Sequence, residues 1–457
     1  MTDPATLENL LACPRCDKTP LIGSDEGWRC DGCRVDFPVI DDLPWMFAEP
    51  AAALGEWRGR LHFSLRRIDQ QRQRLDAALD QPALREPTRR RLTALRDATA
   101  DHAERLSALL RPLDIDSFGA APETYLALRT RLPPDQGLTT YYPNLHRDWA
   151  WGDEENSASL DIVADALAGR PPGSVLVLGA GAGRLAYDVH RRLEPASTVA
   201  LDFNPLLLAV GRRAARGGKV ELYEFPIAPR SADEQAVLRT LAADEPADER
   251  LRFVLGDVHR PPFAKGSFDT IVTPWLVDIL PEPLDALARR INHLLGAGGT
   301  WVNFGSLSFH GGDPALHYTI EECRAVLTDH GFAEPAVGER EMPYMCSPAS
   351  RHGRRELVVT WRSDKTGKAK APERYRALPD WIVRGNEPIP VSKEFQAQAM
   401  ATRIHAFIMS LLDGRRSLKD VAKVLVEQQL MTPQEAEPAV RTFLIRMYDD
   451  SRRQTTY

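Results

Sequence analysis

Residues 173–189, GSVLVLGAGAGRLAYDV, constrain the fold of this chain more than any other segment. The apolar run at 175–178 is typical of a strand buried on both faces, and a helical pattern follows soon after it. Between them stand Gly179, Gly181 and Gly183, which let the backbone approach a ligand closely. The next helix presents unpaired N–H groups at its start. The segment therefore predicts strand, glycine turn and helix in an α/β domain.

Carboxylates end the three apolar segments that come next. TVALDF places Asp202 where it suits ribose hydroxyls, and RFVLGDV ends with Asp257, an acceptor for an adenine amino group. The fourth segment, SFDTIVTPWLVDIL, begins at Phe268 and runs on to Asp278. Because the carboxyl ends of strands in a doubly wound sheet face one crevice, we expect these side chains beside the glycine turn.

Two nucleotide-type cofactors compete for this turn, a nicotinamide dinucleotide and S-adenosylmethionine. A dinucleotide site usually has G-x-G-x-x-G, whereas the spacing here is G-x-G-x-G. Arg184 follows directly, and its guanidinium suits the carboxylate of a methionine moiety. The pattern favours S-adenosylmethionine, with an α/β domain that binds no cofactor as the alternative.

The cysteines predict a metal site at the N-terminus. Four of the six lie in two short pairs, Cys-Pro-Arg-Cys and Cys-Asp-Gly-Cys, formed by Cys13, Cys16, Cys30 and Cys33. Each pair can point two thiolates at one centre, so the four can close a tetrahedron around zinc. Two disulfides or unrelated thiols are the alternative. Four protein ligands leave no open position for substrate, so we expect the zinc to be structural.

The glycine turn and the carboxylates together resemble the class I methyltransferase fold over residues 173–362. More narrowly, GAGAGRLAYDV, FDTIVTPWLVDIL and INHLLGAGGTWVNFGSLSFH are similar to the carnosine N-methyltransferase family. The upstream segment RDWAWGDEENSASLDIVADAL resembles the helix that precedes the cofactor domain in that family, and the likeness extends over roughly 57–362. The resemblance implies methyl transfer from S-adenosylmethionine to a nitrogen.

Three residues are candidates for the acceptor side. A carboxylate at Asp278 could hydrogen-bond one imidazole nitrogen and leave the other as nucleophile, and the resemblance places a substrate-contacting aspartate there. It also implies that His310 is the active-site histidine and that Tyr344 contacts substrate. The alternatives are that Asp278 only caps the following helix and that His310 is a surface residue.

The flanking segments predict further domains. The stretch from CPRC to FPVIDDLPWM resembles small zinc-ribbon proteins that activate methyltransferases, and an arginine-rich helical hairpin follows it. Residues 221–251 are expected to be an insertion with its own helix pattern beside the cofactor pocket. SLKDVAKVLVEQQLMTPQEAEPAVRTFLIRMYDD resembles PqqD-like winged-helix modules that grip leader peptides. The expected domains are a zinc ribbon (1–50), a helical arm (51–135), a methyltransferase domain (136–362), a linker (363–373) and a PqqD-like helical domain (374–457).

Composition bounds the function. With Lys+Arg 58 against Asp+Glu 64, the net charge is −6, which argues against binding nucleic acid through a global positive field. No window approaches the roughly 20 apolar residues of a membrane helix, and a cytoplasmic protein is expected. The prediction is an N-methyltransferase acting on an imidazole nitrogen of a peptide or small molecule, with a peptide or protein partner for the C-terminal domain. The rivals are a tRNA or translation-protein methyltransferase and a non-enzymatic adaptor.

Overall fold

The computed structural model describes residues 7–24, 26–114, 138–309, 313–372 and 388–453. The chain divides into two compact units, Met1–Tyr375 and Arg376–Tyr457. Among the described residues, no helix is both long enough and apolar enough to cross a membrane.

The first unit is built around a seven-stranded sheet with strand order β12-β13-β11-β10-β5-β6-β9. All strands are parallel except β13, which is antiparallel to both neighbours. The strands are β5 (Ser174–Leu178), β6 (Ser197–Asp202), β9 (Leu251–Leu255), β10 (Phe268–Pro274), β11 (Leu295–Gly305), β12 (Ala336–Tyr344) and β13 (Arg354–Asp364). The strand order reverses direction between β5 and β10, and this is where open α/β sheets bind ligands. The class I α/β fold predicted from the sequence is confirmed.

Alternate residues of each strand pack into two separate apolar cores, one on each face of the sheet. In β5, Val175 and Val177 belong to one core, while Leu176 and Leu178 belong to the other. The first core is completed by α4 (Tyr142–His146), α5 (Asp153–Leu167), α6 (Arg184–Arg192) and α7 (Pro205–Ala215). The second is completed by α8 (Leu284–Leu294) and α9 (Ile320–Asp329). Burial on both faces is the reason that these strands are apolar without alternation.

The N-terminal ribbon packs against the β9 edge of this sheet. It contains α1 (Leu7–Leu10), β1 (Ile22–Ser24), β2 (Gly27–Cys30), β3 (Val35–Ile40) and β4 (Leu43–Pro44). The backbone N–H of Met46 donates to the Leu255 carbonyl at 2.7 Å, and Trp45 forms a parallel bridge with Leu255. Because an unpaired edge strand is an aggregation hazard, this contact protects β9.

The predicted helical hairpin is present as α2 (Pro50–Leu79) and α3 (Glu86–Leu109). Its base is anchored in the first core by Trp57, which is fully buried and stacks on Phe203 with ring centroids 6.0 Å apart. A buried ion pair between Glu56 and Arg60 lies beside this tryptophan, with the guanidinium 5.0 Å from the ring centroid. The hairpin is therefore part of the first unit.

The insertion at 221–251 does not hold the helix expected from its sequence. Within this segment the structure has strands β7 (Val220–Glu224) and β8 (Val237–Leu241), paired antiparallel, and no helix. The pairing buries Val220, Leu222 and Leu241 against the first core, and Glu224 accepts from Arg239 across the pair at 2.8 Å. Cross-strand contacts of this kind are non-local, so they outweigh the local helical propensity.

The second unit contains three helices among residues 388–453: α10 (Lys393–Ser410), α11 (Leu418–Glu427) and α12 (Pro433–Arg453). Ser417 caps α11 in a capping box with Asp420, as its position before the apolar run indicates. Their core includes Ile408, Val421 and Val440. No strand occurs in this described part, so the winged-helix assignment stays a prediction.

Candidate active site

The glycine turn joins β5 to α6 with three glycines in left-handed conformation. Gly179, Gly181 and Gly183 have φ of 68°, 57° and 79°. A Cβ at Gly183 would lie 2.5 Å from the Phe253 ring, whereas a Cβ at Gly181 would meet nothing within 4 Å. Packing against Phe253 therefore requires glycine at position 183. The open space over Gly181 is where a ligand can approach the backbone.

Asp202 connects the end of β6 to this turn. Its carboxylate accepts the backbone N–H groups of Gly181 and Asn204, both at 2.9 Å. Burial raises the pKa of Asp202 to about 6, although the backbone hydrogen bonds act to lower this pKa. A carboxylate has about four acceptor positions, so it retains capacity for the hydroxyls of a ribose.

Asp257 lies two residues beyond β9, next to the end of β6. Its Oδ1 accepts both the backbone N–H and the Nδ1 of His259, each at 2.8 Å. Although burial favours the neutral acid, the contacts with His259 hold the pKa of Asp257 below its usual range. The N–H of Gly256 donates to the Asp202 carbonyl at 3.0 Å, so the two predicted cofactor carboxylates lie on adjoining loops.

Arg184 is bound to protein groups. Its Nε donates to Asp188 at 2.9 Å, its Nη1 donates to the Asp148 carbonyl at 2.7 Å, and its guanidinium lies over the Trp149 ring. Contact with a ligand carboxylate, expected from the sequence, would compete with Asp188. The geometry favours a role for Arg184 in bracing the turn.

A π-helical turn, Arg147–Trp151, packs over the glycine turn. Besides the contact with Arg184, the indole Nε1 of Trp149 donates to the Ala182 carbonyl at 2.9 Å. Trp149 is buried, so it packs as part of the first core. Single π-helical turns are rare and occur frequently at functional sites.

The acceptor-side carboxylate Asp278 lies in a short 3-10 helix four residues past β10. Its Oδ2 accepts the hydroxyl of Ser306 at 3.0 Å and the backbone N–H of Ser308 at 2.8 Å, both from the segment after β11. Its Oδ1 accepts no hydrogen bond from any described residue. Asp278 does not cap α8, whose N-cap is Pro283. The carboxylate thus has a fixed orientation with one oxygen left to bind a ligand.

Strained backbone follows three parallel strands of the sheet, β10, β11 and β12, at its carboxyl edge. Trp275 after β10, Leu307 after β11 and Met345 after β12 have φ of 51°, 49° and 55°. Bulky residues in this region cost about 1–3 kcal/mol each and cluster at functional sites. The strain marks the carboxyl edge beside Asp278 as the place where the fold is shaped for a ligand.

Tyr344 reaches this edge from the end of β12. The centroids of the Tyr344 and Trp275 rings lie 4.7 Å apart. The guanidinium of Arg354 lies 4.5 Å from the centroid of the Tyr344 ring. Burial raises the pKa of the Tyr344 hydroxyl. His310, the third catalytic candidate, lies outside the described residues.

Sequence reasoning missed a buried charge network behind Tyr344. Arg147 donates to Asp148 at 2.7 Å and to Glu155 at 2.6 Å, and the other oxygen of Glu155 accepts the N–H of Met345 at 2.8 Å. Asp148 and Glu155 are 3% exposed, so these buried carboxyl groups depend on Arg147 for hydrogen bonds and charge compensation. The segment RDWAWGDEE carries the signal in its arginine and acidic residues, although its pattern by itself predicts only a helix.

The four predicted metal ligands come together in the ribbon. All four sulfur atoms lie within 4.8 Å of one another, with Cys13 and Cys33 3.3 Å apart and Cys16 and Cys30 3.5 Å apart. A tetrahedron with zinc–sulfur distances of about 2.3 Å has sulfurs about 3.8 Å apart. The donor set and its spacing therefore fit a tetrahedral zinc ion.

Comparison with known proteins identifies the chemistry of the central segment. Residues 138–361, just under half of the chain, match the family model for carnosine N-methyltransferase. This segment is an S-adenosylmethionine-dependent methyltransferase. Every predicted cofactor residue lies within this matched range. The three acceptor-side candidates, Asp278, His310 and Tyr344, lie within it too. No curated protein sequence matches the chain.

Solved structures similar to this methyltransferase have low sequence identity. The Haemonchus contortus phosphoethanolamine N-methyltransferase 2 with S-adenosylmethionine is 13% identical, with 52% of this chain and 62% of that chain covered at a TM-score of 0.35. The YcgJ protein of Bacillus subtilis is 14% identical (46% and 99%, TM-score 0.32). A chain from a complex of the Haloferax volcanii Trm112 methyltransferase activator with a methyltransferase is 16% identical (48% and 98%, TM-score 0.31).

The first prediction concerns Asp202. Because burial raises its pKa to about 6, the proton of the neutral acid must leave before the carboxylate can accept ribose hydroxyls. S-adenosylmethionine affinity should therefore fall as the pH decreases below about 6, by up to roughly tenfold per unit. Asp202→Asn should bind about tenfold or more weakly at neutral pH, with no such pH dependence.

Calorimetric titration between about pH 5 and pH 8 measures both effects, with Asp285→Asn on α8 as the matched control. Affinity in Asp202→Asn that follows the wild-type pH profile would show that Asp202 does not contact the cofactor.

The second prediction concerns Glu155. Glu155→Gln should release the strained turn after β12, since the amide leaves Arg147 undercompensated and weakens the bond to Met345. Hydrogen exchange of backbone amides in residues 342–353 should accelerate by about tenfold or more. The control is Asp161→Asn on the same helix, whose exposed carboxylate also reaches β12 through Arg340 at 3.3 Å. Equal exchange in the two variants would contradict the assignment.

Proposed function

We propose that this methyltransferase transfers the methyl group to an imidazole nitrogen of a histidine-containing peptide or small molecule. The family match over 138–361 supports nitrogen as the acceptor atom. The observation that carries the proposal is the Asp278 carboxylate, held by Ser306 and Ser308 with Oδ1 left to bind a ligand. An oriented carboxylate suits an acceptor that has one N–H to donate and one lone pair to react.

The cofactor site is assigned to the crevice between β5 and β10. S-adenosylmethionine, when bound, supplies an electrophilic methyl group on a sulfonium. Gly179, Gly181 and Gly183 allow the close backbone approach, while Asp202 would bind the ribose and Asp257 the adenine. Arg184 would hold the turn through Asp188 and Asp148 instead of contacting the ligand directly.

Asp278 would orient the acceptor and hold its proton. An imidazole that donates its N–H to Oδ1 presents the opposite nitrogen, with its lone pair, toward the glycine turn. As the nitrogen–carbon bond formed and the sulfur–methyl bond broke, leaving a neutral thioether, positive charge would spread over the imidazole ring, and the adjacent Asp278 carboxylate would stabilise it. The proton on the first nitrogen can then pass to Asp278. General-base assistance of this kind contributes about 10²–10⁴-fold.

The aromatic pair Trp275 and Tyr344 would form one wall of the acceptor pocket. Their ring centroids are 4.7 Å apart, and the strained backbone of Trp275 keeps its ring at the sheet edge. Apolar walls exclude water from a methyl transfer and align the reacting atoms. His310 remains a candidate for a second proton-accepting group on the resemblance alone.

The ribbon would hold one structural zinc ion through Cys13, Cys16, Cys30 and Cys33. Four thiolates complete a tetrahedron, so the metal would stabilise the ribbon without contacting substrate. Thiolate ligands persist in reducing compartments, which supports the cytoplasmic location expected from the sequence. The C-terminal unit, expected to be PqqD-like, would bind a peptide or protein partner.

The third prediction tests the acceptor chemistry. Asp278→Asn should lower kcat for methylation of an imidazole dipeptide such as β-alanyl-histidine by about 100-fold or more, because an amide cannot take the proton. S-adenosylmethionine affinity should stay unchanged. Asp285→Asn is the matched control, because that carboxylate pairs with His330 outside the site.

Methylation by Asp278→Asn at the wild-type rate would contradict the role of Asp278. Transfer to RNA but not to any imidazole compound would instead support the tRNA-methyltransferase alternative.

The fourth prediction concerns the metal. The purified protein should contain about one zinc per chain by elemental analysis, and Cys30→Ser should lower both the zinc content and the thermal unfolding midpoint. Cys346→Ser is the matched control, because this exposed cysteine lies outside the cluster. A chain without zinc, with the same midpoint in both variants, would exclude a structural metal.

A further inference from the structure

The loop that follows β9 contacts the N-terminal ribbon as well as the sheet. We call residues 256–264 the cofactor loop, because it contains the carboxylate assigned to the adenine. The backbone N–H of Ala12 donates to the Pro262 carbonyl at 2.9 Å. The backbone N–H of Ala264 donates to the Leu10 carbonyl at 2.8 Å. The second half of the cofactor loop is therefore joined to the backbone of the ribbon.

Arg260 joins the first half of the cofactor loop to the first cysteine pair. Its Nη1 donates to the carbonyls of Pro14 at 2.6 Å and Arg15 at 3.1 Å. Both carbonyls belong to the turn between Cys13 and Cys16. Arg260 is buried, and a buried guanidinium needs acceptors placed to meet its N–H groups. The position of the cysteine turn thus determines where the Arg260 side chain can lie.

Arg260 is also joined to Asp257 within the cofactor loop. Its backbone N–H donates to the Asp257 carbonyl at 2.9 Å. The backbone N–H of His259 donates to Oδ1 of Asp257 at 2.8 Å. Residues 257–260 therefore form one hydrogen-bonded turn, so a displacement of Arg260 also displaces the Asp257 carboxylate.

The metal would fix the cysteine turn. Cys13 and Cys16 would bind one zinc ion, and the backbone N–H of Arg15 donates to Sγ of Cys13 at 3.4 Å. Without a cation, four thiolates within 4.8 Å of one another would repel. Loss of the metal would therefore release the turn, and its two carbonyls would no longer be held against Arg260.

We propose that Arg260 is a positioning residue that couples zinc binding in the ribbon to cofactor binding at Asp257. This inference rests on the proposed function, because it uses the zinc and cofactor sites assigned there. Coupling between two binding sites is reciprocal, so each ligand tightens the binding of the other by the same factor. The zinc ion would thus raise the affinity for S-adenosylmethionine without contacting it.

The wild-type chain tests the coupling directly. The zinc dissociation constant of the full-length protein is measured by competition with a chromogenic chelator, with and without saturating S-adenosylhomocysteine. We expect S-adenosylhomocysteine to tighten zinc binding by about fivefold or more. Calorimetric titration of the zinc-loaded and metal-free chains with S-adenosylhomocysteine should give the same factor. Equal zinc affinity with and without S-adenosylhomocysteine would overturn the inference.

The variants test whether Arg260 carries the coupling. Arg260→Gln should reduce the coupling factor to within about twofold, and Arg260→Lys, which keeps the charge, should retain part of it. Arg213→Gln is the matched control, because Arg213 lies on α7 and donates to Asp41 of the ribbon at 3.0 Å. A merely structural contact would lower the thermal midpoint and leave the coupling factor unchanged. Full coupling in Arg260→Gln, or equal loss in Arg213→Gln, would overturn the role of Arg260.

Methyl transfer to imidazole compounds is assayed separately. Coupling without methylation of any imidazole compound would support the inference and remove the imidazole acceptor of the proposed function. Methylation without coupling would overturn the inference alone. A purified chain that binds no zinc would overturn both the inference and the metal assignment.

Discussion

The hydrogen bonds of the Asp202 carboxylate with the backbone of Gly181 and Asn204 organise the cofactor side of this protein. They join the end of β6 to a glycine turn that is held in left-handed conformation, and each oxygen satisfies one N–H group. The cost is a buried carboxylate whose pKa burial raises to about 6. The protein thus keeps a partly destabilised charge where a polar ligand can share it, which is typical of binding sites.

A second buried electrostatic cluster relates the cofactor side to the acceptor side. Arg147 and its two carboxylates occupy the start of the segment that lies over the glycine turn, and Glu155 reaches the strained backbone of Met345. Removing one member of such a cluster leaves an uncompensated charge, so the network specifies one arrangement of both loops. The strain after β10, β11 and β12 persists because the surrounding contacts determine these turns.

The outer segments complete the first unit at its open surfaces. The ribbon covers the edge strand β9 through Met46 and Trp45, close to the loop that carries Asp257. Arg260, three residues beyond Asp257, donates to the Pro14 carbonyl within the first cysteine pair at 2.6 Å. The insertion, paired as β7 and β8, packs beside the first core and reaches the turn after β12 through a bridge between Pro229 and Ser350. The segments outside the sheet therefore shape both ends of its carboxyl edge.

The sequence by itself determined the features that depend on short spacing and local conformation. The glycine turn, the carboxylates at the ends of β6 and β10, the cysteine pairs and the arm hairpin could all be predicted, because each reflects a local backbone or ligand requirement. Only the tertiary structure decided the Arg147–Glu155 network, the bracing contacts of Arg184 and the strands of the insertion. Those contacts join residues far apart in the chain, such as Glu155 and Met345, and no local pattern records which distant partner satisfies a buried charge or a strand edge.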